Sequence, residues 1–357
     1  MIKILFFKKK KDPQEQLKNI IKKIFISVVF VTLNTSTLAK DFKIITKDYR
    51  FMWDAATRIN KQESSDKSSQ LFFGFDYQHN IKLNRRNFAT ILMQPTIIKL
   101  HNVAQPFNYF SGGDDIDLQW RAAYIDITGI SDERFNIRTG HIEIPYGAEY
   151  KATITGGTLR QLTTNLGLKM DWGISTHGKI YKTNYEFAYT RGSGNEWDRA
   201  EGASISSGRV GWDFKKNHHV ALSYVDGALV PGKSTQLINK KRTALDYHYQ
   251  KSDMHVRGEI SKGQDNNSDR HYGLIEISKF NSNRDKFYYF QYRYKRDQDE
   301  NINRTDECLI SGLEWRPHNN MEFNLQYHTK IAQKNPINNL MSDKDLMQLQ
   351  LRYRFNG

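Results

Sequence analysis

Serine and histidine are the residues of this chain that could form a nucleophilic catalytic pair. A serine hydrolase needs a hydroxyl within hydrogen-bond reach of a histidine, and a polar group that orients the histidine. The candidates are three serines and four histidines: Ser223, Ser261, Ser311, His219, His248, His255 and His271. Many pairs can be drawn and none has a distinguishing spacing, so a lipid hydrolase is only an alternative, and no catalytic residue is predicted.

The sequence offers little for a metal or a cofactor. Its single cysteine, Cys308, excludes an intrachain disulfide and a cysteine metal cluster. Asp114, Asp115 and Asp117 fall in a predicted loop, where a solvated turn is the commoner interpretation and a weak external Ca²⁺ site the alternative. We therefore predict neither a cofactor nor a resident metal.

Charged side chains are the stronger functional signal, because they recur at every second position of several segments. Arg293 and Lys295, for example, alternate with Tyr292 and Tyr294. Such charges cost several kcal/mol each in a dry core and little beside water. The basic candidates for a watery interior are Lys82, Lys169, Lys182, Arg257, Arg293, Lys295, Arg352 and Arg354. The acidic candidates are Asp76, Asp171, Glu186, Asp246, Glu259, Glu314 and Glu322. The alternative for any one of them is an ion pair that only braces the wall.

The segment that most clearly positions such residues is the last one, DLMQLQLRYRF at 345–355. Met347, Leu349 and Leu351 share one face with Tyr353 and Phe355, and polar residues fill most of the other face. This two-residue period is typical of a strand between an apolar and a polar environment. A closed transmembrane barrel needs its final strand in particular, since that strand must pair with the first one to remove the sheet edge.

Composition and spacing extend this interpretation to the whole chain after residue 40. A low mean hydropathy of -0.71 fits a barrel, in which only every second residue faces lipid. About 16 segments show strand patterns, and short and long connections alternate between them. The predicted fold is therefore all-β: a transmembrane antiparallel up-and-down barrel of about 16 strands, with short periplasmic turns and long extracellular loops. A soluble all-β domain is the alternative.

The N-terminus has the order of a secretory signal peptide. Lys18, Lys22 and Lys23 precede the apolar run IFISVVFVTL at 24–33, and small residues surround a cleavage site after Ala39. The predicted organisation is a signal peptide at 1–39 with a long basic n-region, followed by a barrel at 40–357. Such a chain is exported by a Sec-type pathway to the bacterial outer membrane, and an uncleaved membrane anchor is the alternative.

The formal charge of the chain is +14. Eight lysines and two acidic residues lie within 1–39, so residues 40–357 keep a net charge of +8. A basic excess suits anionic lipid or anionic solutes, and it suits nucleic acid only when it is gathered in one patch. Here the basic residues are spread over many strands, so outer-membrane lipid and small anionic solutes are the predicted partners, and nucleic acid is not.

One segment carries a family resemblance. The run R-x-G-x-x-x-x-P-Y-G, from Arg138 to Gly147 and followed by Glu149, resembles a segment of the phosphate-selective porin family, with Tyr146 in place of the usual Phe. The C-terminal strand, ending near Phe355, likewise resembles that of bacterial outer-membrane barrels. In classical porins the third external loop folds into the lumen. The resemblance implies that loop 145–164 does the same here.

The predicted function is a porin: a water-filled channel that passes small hydrophilic solutes by diffusion, with a mild anion preference. The resemblance also implies a homotrimer, whereas phosphate specificity does not carry over. The residues predicted to line the pore or its constriction are Arg138, Glu149, Lys151, Arg160, Lys169, Lys182, Arg257, Arg293, Lys295 and Arg352. The alternatives are a surface adhesin or receptor on a plugged barrel and, less favoured, the hydrolase.

Overall fold

The fold is seen in a computed structural model. It describes residues 44–45, 48–62, 67–83, 86–101, 116–128, 130, 134–150, 159–160, 166, 168–197, 201–230, 236–299, 302–334 and 345–356. The predicted signal peptide, the acidic run at 111–115 and Lys151 lie outside these residues. Within them, no helix is long and apolar enough to cross a membrane.

The described chain is organised as one sheet of antiparallel strands. The strands are β1 (Ile44–Ile45), β2 (Tyr49–Gln62), β3 (Ser68–Leu83), β4 (Arg86–His101), β5 (Ile116–Ile127), β6 (Asn136–Glu143), β7 (Met170–Ile180), β8 (Thr183–Thr190), β9 (Ser204–Lys215), β10 (His218–Leu229), β11 (Ile238–Lys251), β12 (Met254–Asp265), β13 (Ser268–Phe280), β14 (Lys286–Asp299), β15 (Ile302–His318), β16 (Met321–Lys334) and β17 (Leu346–Asn356). The short β1 pairs with β3, and the 16 described strands β2 to β17 form the wall.

The wall is a closed barrel. Each strand from β2 to β17 pairs with its sequence neighbours, and β17 pairs with β2, with Leu351 opposite Thr57. Closure leaves no free edge along this seam, and an edge in lipid would expose backbone groups without partners. The predicted fold class is confirmed, including the role of the last strand.

The two faces of the wall differ in polarity. In β17 the side chains of Met347, Leu349 and Leu351 are 48%, 45% and 37% exposed on the outside, whereas Gln350 and Arg352 are buried inside. Exposed Ile, Leu, Phe and Tyr residues cover the outside of the other strands in the same way. An apolar outer surface with a polar inner one is the arrangement that a lipid-spanning barrel requires.

The two ends of the barrel differ in their connections. Short turns such as 181–182, 216–217 and 252–253 close one end, which we call the turn end. The longer connections, such as those between β4 and β5 and between β6 and β7, lie at the opposite loop end. Several loop-end connections are shorter than predicted: the predicted loops 54–70 and 262–270 are largely strand, and only 63–67 and 266–267 lie between strands. The extensions at 262–265 and 268–270 are polar on both faces, so they carry no two-residue period.

Candidate functional site

The connection between β6 and β7 turns into the barrel instead of continuing the wall. The last pairing of the two strands is closed by the Ile144 N–H, which donates to the Lys169 carbonyl at 2.9 Å. Beyond it Pro145, Tyr146 and Gly147 are buried, and so is Glu149. We call residues 144–160 the inward segment, of which 151–158 lie outside the described residues.

At 147–148 the backbone of the inward segment pairs with no strand of the described chain and is fixed instead by side chains of β10 and β12. The Gly147 N–H donates to Ser223 Oγ of β10 at 3.1 Å, and the Ala148 N–H donates to Glu259 Oε2 of β12 at 2.7 Å. Gly147 has a φ of 71°, and a Cβ at this position would lie 2.4 Å from Glu259 Oε2. Only glycine allows both this left-handed conformation and the close approach of the carboxylate.

An apolar cluster inside the barrel supports the same segment. Tyr146 packs there with residues of the neighbouring connections and strands. The cluster consists of Ile144, Tyr146, Leu166, Leu168, Ile205, Val225, Leu229 and Ala244. Burial raises the pKa of the Tyr146 hydroxyl far above its ordinary value, so this group stays neutral. Apolar burial therefore holds the start of the inward segment against the wall.

Ion pairs anchor the polar side of the segment. Lys169 Nζ lies 3.2 Å from Glu149 Oε1 and 3.5 Å from Glu143 Oε1. The Tyr150 hydroxyl donates to Glu186 of β8. Glu149 and Glu186 thus accept hydrogen bonds from the inward segment or its flank, and Glu143 lies within ion-pair distance of the same lysine, so the burial of these carboxylates is partly offset.

At its described end the segment reaches the opposite side of the barrel. Arg160 Nη1 donates to Glu276 Oε1 of β13 at 2.9 Å, and Arg160 Nε lies 3.7 Å from Glu314 Oε1 of β15. The guanidinium also lies over the Phe287 ring, 4.7 Å from its centroid. β13 stands nearly opposite β6 in the ring of strands. The described residues of the segment therefore contact strands on separate sides of the barrel.

Buried ion-pair clusters line the rest of the inner wall. Near the β17–β2 seam, Asp54 accepts hydrogen bonds from Arg352 at 2.6 and 2.8 Å and from Arg121 at 2.6 Å. Next to the inward segment, Arg138 contacts Asp126 at 2.8 Å and Glu186 at 3.3 Å. These clusters bridge strands that are neighbours or nearly so, and they cross-link the wall.

A third cluster lies at the loop end. Asp265 is 2.8 Å from Lys240 Nζ, 2.6 Å from Arg242 Nη2 and 3.5 Å from Arg270 Nε. Asp297 extends it, since this carboxylate contacts both Arg270 and Lys295. Within this cluster, four cations thus contact two carboxylates.

The ten predicted site residues fall into different environments. Glu149 and Arg160 lie in the inward segment, and Arg138 and Lys169 lie beside it. Their ion-pair partners are those given above. Arg352 and Lys295 belong to the clusters of the inner wall. Lys151 lies outside the described residues.

The remaining three predicted residues differ from one another. Arg293 of β14 is buried and donates to Gln291 Oε1 at 2.6 and 3.1 Å. Arg257 of β12 is half-buried, and two of its nitrogens have no hydrogen-bond partner within the described ranges. Lys182 was predicted to lie within a strand and face the interior. It lies instead in the exposed turn at 181–182, because the β7–β8 hairpin turns there with Tyr181 at a φ of 55°.

Sequence patterns did not reveal the partners of these residues. Asp54 and Asp265 each contact two or more cations, and Asp126 contacts Arg138 and His177. None of these three aspartates was among the predicted acidic candidates. The alternation of apolar and polar residues predicts that a charged side chain lies on the inner face. Which side chain it contacts depends on the register between neighbouring strands. The serine and histidine candidates have other partners too: Ser223 accepts the Gly147 N–H, and His219 Nδ1 lies 2.8 Å from Asp213 Oδ1.

The inward turn leaves a gap in the wall, and the connection after β8 fills it. β6 pairs with β5 only at 123–127. The part of β5 nearer the loop end, residues 116–122, therefore has no strand partner on that side in the described residues. Asn195 takes the place of a strand: its Oδ1 accepts the Trp120 N–H at 2.7 Å, and its Nδ2 donates to the Leu118 carbonyl at 3.1 Å. Asp171 fixes this connection by accepting the N–H groups of 192–194. We call residues 191–197 the edge patch.

Comparison with known proteins agrees with this geometry. Neither a family profile nor a curated protein sequence matches the chain. Among solved structures, OmpF of Salmonella typhi, in complex with daunomycin, aligns with a TM-score of 0.62 at 10% identity, covering 86% of this chain and 97% of that one. The chain has the fold of an outer-membrane porin.

Other solved porin-like structures align over the same extent. The outer-membrane-expressed OmpT of Vibrio cholerae aligns with a TM-score of 0.58 at 13% identity, covering 88% of this chain and all (100%) of that one. An anion-selective porin from Comamonas acidovorans aligns with a TM-score of 0.54 at 10% identity, over 88% and 100% of the two chains. At such identities the likeness concerns the fold, and solutes have to be argued from the residues.

Proposed function

We propose that this protein is an outer-membrane porin that passes small hydrophilic solutes by passive diffusion through a water-filled channel. The observation that carries the proposal is the inward segment, whose described residues contact β10 and β12 at 147–148 and β13 at Arg160, and we infer that it spans and narrows the interior between them. A wall-to-wall segment in a 16-strand barrel is a size filter, since a barrel of this width otherwise leaves an aqueous channel. Loop 145–164 is then the constriction.

A mild anion preference follows from charge. Residues 40–357 carry a net charge of +8, and four cations surround two carboxylates at the loop-end mouth. A pore lined by excess basic side chains favours anions over cations. The turn end would face the periplasm and the loop end the cell exterior, as short turns and long loops do in bacterial outer-membrane barrels.

Planar-bilayer recording of the refolded chain tests the channel. We expect stepwise conductance increases on insertion and, in a salt gradient, a reversal potential that indicates anion preference. Lys151→Glu should reduce this preference, because it reverses one charge of the constriction. Arg160→Glu should reduce it further, and a circular-dichroism spectrum must first show that the variant is folded.

The same recording separates the alternatives. Folded protein that inserts without conductance would refute the porin and support an adhesin or receptor on a plugged barrel. Release of fatty acid from phospholipid in detergent would support the hydrolase. Cation preference in the unsubstituted protein would refute the anion selectivity alone.

A homotrimer is part of the proposal. Its support is the fold, together with the trimer form of Vibrio cholerae OmpT, which aligns over 86% of this chain. Light scattering of the detergent-solubilised protein, corrected for bound detergent, should give three times the mass of the mature chain. A monomer mass at the concentrations used for bilayer insertion would contradict it.

A further inference from the structure

Arg257 lies on the inner face of the wall, and its guanidinium has no ion-pair partner among the described residues. Within the described ranges, its buried Nε and Nη1 have no hydrogen-bond partner, and no carboxylate lies within salt-bridge distance of it. An unpaired buried guanidinium is costly, because its lost hydration is not replaced. Arg257 keeps part of its surface open, so its donors can turn toward a solute in the interior.

The nearest acidic residue cannot serve as its partner. Glu276 lies directly opposite Arg257 in the pairing of β12 with β13. Its carboxylate is already occupied by Arg160 at 2.9 Å, Gln291 Nε2 at 2.6 Å and Ser278 Oγ at 3.1 Å. This carboxylate is fully buried, with 0% exposure, and so has no open side for a further donor.

Two histidines extend the same surface of the wall. His248 lies opposite Arg257 in the pairing of β11 with β12, and its buried Nε2 has no hydrogen-bond partner in the part of the chain that the structure describes. His255 lies two residues before Arg257 on the same face, with its ring centroid 6.0 Å from that of His248. A protein interior rarely gathers such donors without something to receive their hydrogen bonds.

An aromatic surface adjoins these donors. The His255 ring is 5.9 Å from the Phe280 ring and 6.3 Å from the Phe287 ring, centroid to centroid. Phe280 and Phe287 contact each other at 4.6 Å, and Phe280 is partly exposed to the interior. Offset and tilted ring contacts of this kind are the ones that an additional aromatic ring can extend.

We propose that Arg257, His248, His255 and Phe280 form a binding site for an organic monocarboxylate with an aromatic body. The guanidinium fork matches the geometry of a planar carboxylate, and the rings of His255 and Phe280 receive the body. The proposal rests on the proposed function for access to the site through the lumen. It adds a solute class that a general diffusion channel does not imply.

The charges around the site disfavour a polyanion. Arg160, the next cation, already shares its charge between Glu276 and Glu314. A doubly charged phosphate would therefore meet one unpaired guanidinium and two nearby carboxylates, whereas a monoanion needs only the guanidinium. Benzoate should bind more tightly than acetate, which lacks the ring, and more tightly than inorganic phosphate.

Calorimetric titration of the detergent-refolded full chain with benzoate, acetate and phosphate tests the site without requiring conductance. Arg257→Gln should raise the Kd for benzoate about tenfold or more, since it removes a charge-assisted contact. Lys179→Gln is the matched control: it removes one charge from an exposed pair at the turn end, 3.4 Å from Asp213, and should leave the Kd unchanged. If both substitutions raised the Kd for benzoate equally, the effect would come from the overall charge of the protein, and the proposed site would be wrong.

A second substitution separates the two halves of the site. Phe280→Leu should raise the Kd for benzoate about threefold and leave that for acetate unchanged, because a ring contact is lost and the charge is kept. Phosphate binding tighter than benzoate, or no binding of any of the three by folded protein, would refute the proposal. Binding without conductance would instead uphold this site and refute the porin.

Discussion

Gly147 is the residue on which the path of the inward segment depends most directly. Its φ of 71° is left-handed, and a Cβ there would approach Glu259 Oε2 to 2.4 Å. We expect Gly147→Ala to lower the free energy of unfolding by about 1–3 kcal/mol and to broaden the distribution of single-channel conductances. Urea unfolding in lipid vesicles, followed by tryptophan fluorescence, measures the first effect.

Gly202 supplies the control for Gly147→Ala. It has a similar φ of 80°, but a Cβ there would meet only Leu237 Cδ1, at 3.6 Å. Gly202→Ala therefore carries the backbone strain without the clash, and it should cost less stability and leave the conductance uniform. A loss for Gly202→Ala as large as that for Gly147→Ala would show that backbone conformation alone explains the effect.

Asp54 joins the first and last long strands of the barrel through Arg352. The carboxylate is 5% exposed and accepts hydrogen bonds from both Arg352 and Arg121. Asp54→Asn replaces the carboxylate beside the buried Arg352 guanidinium by a neutral amide, whereas Arg121 keeps its contact with Asp76, and we expect a loss of about 3–5 kcal/mol in urea unfolding. Asp253→Asn, in an exposed pair with Arg284, should cost at most about 1 kcal/mol. Similar losses for the two variants would contradict the structural role of Asp54.

The charged residues of the inner face show how much of the structure the sequence could predict for individual residues. Alternation correctly placed Arg352 on the polar face, yet its partner Asp54 lies 298 residues away in sequence. Local patterns carry no register between distant strands, so they could not tell a solute-facing arginine from a paired one. Arg257 and Arg352 had equal standing in the sequence, and only the three-dimensional pairing separates them.

At the scale of elements, the edge patch is the feature that makes the inward turn possible. Asn195 supplies one acceptor and one donor to the open side of β5, at Trp120 and Leu118. We expect Asn195→Ala to increase the hydrogen-exchange rate of the Trp120 amide about tenfold, because a net hydrogen bond is worth about 1 kcal/mol or more. Mass-spectrometric exchange of peptides spanning 116–122 measures it.

Asn195→Asp is the matched variant for this test. It keeps the acceptor for the Trp120 N–H and loses the donor to the Leu118 carbonyl, so amide protection at Trp120 should remain close to that of the unsubstituted protein. Unchanged exchange in Asn195→Ala would mean that other contacts, such as the one from Trp172 Nε1 to the Asn195 carbonyl, hold the patch by themselves.

The elements themselves were predictable where lipid forces the two faces to differ. β14 and β17 lie close to their predicted positions, because apolar and polar residues alternate through both. The pattern stops where a strand leaves the membrane. The polar stretch at 262–270 was predicted to be a loop, whereas β12 extends to Asp265 and β13 begins at Ser268. Backbone pairing continues there without any apolar face to mark it.

For the molecule as a whole, the inward course of loop 145–164 came from a family resemblance and not from the residue pattern. The described contacts of Gly147, Ala148 and Arg160 give that course a physical basis in this chain. Their partners, Ser223, Glu259 and Glu276, belong to three other strands, β10, β12 and β13. The local sequence around the loop therefore cannot predict them.

The lipid boundary is the property of the whole barrel that a substitution can test directly. Ile275 is 49% exposed at the middle of β13, and Met254 is 42% exposed at the turn end of β12; both face outward. An outward arginine costs about 2–4 kcal/mol at the bilayer midplane and about 0–1 kcal/mol near the interface. We therefore expect Ile275→Arg to lower stability in vesicles by several times more than Met254→Arg.

The same pair of variants in detergent micelles provides the control for this comparison. A micelle adapts to a charge more readily than a bilayer, so the difference between the two positions should shrink there. Equal losses for Ile275→Arg and Met254→Arg in vesicles would mean that depth in a bilayer does not matter. The outer face would then pack against protein or water, and a transmembrane barrel would be the wrong description of this chain.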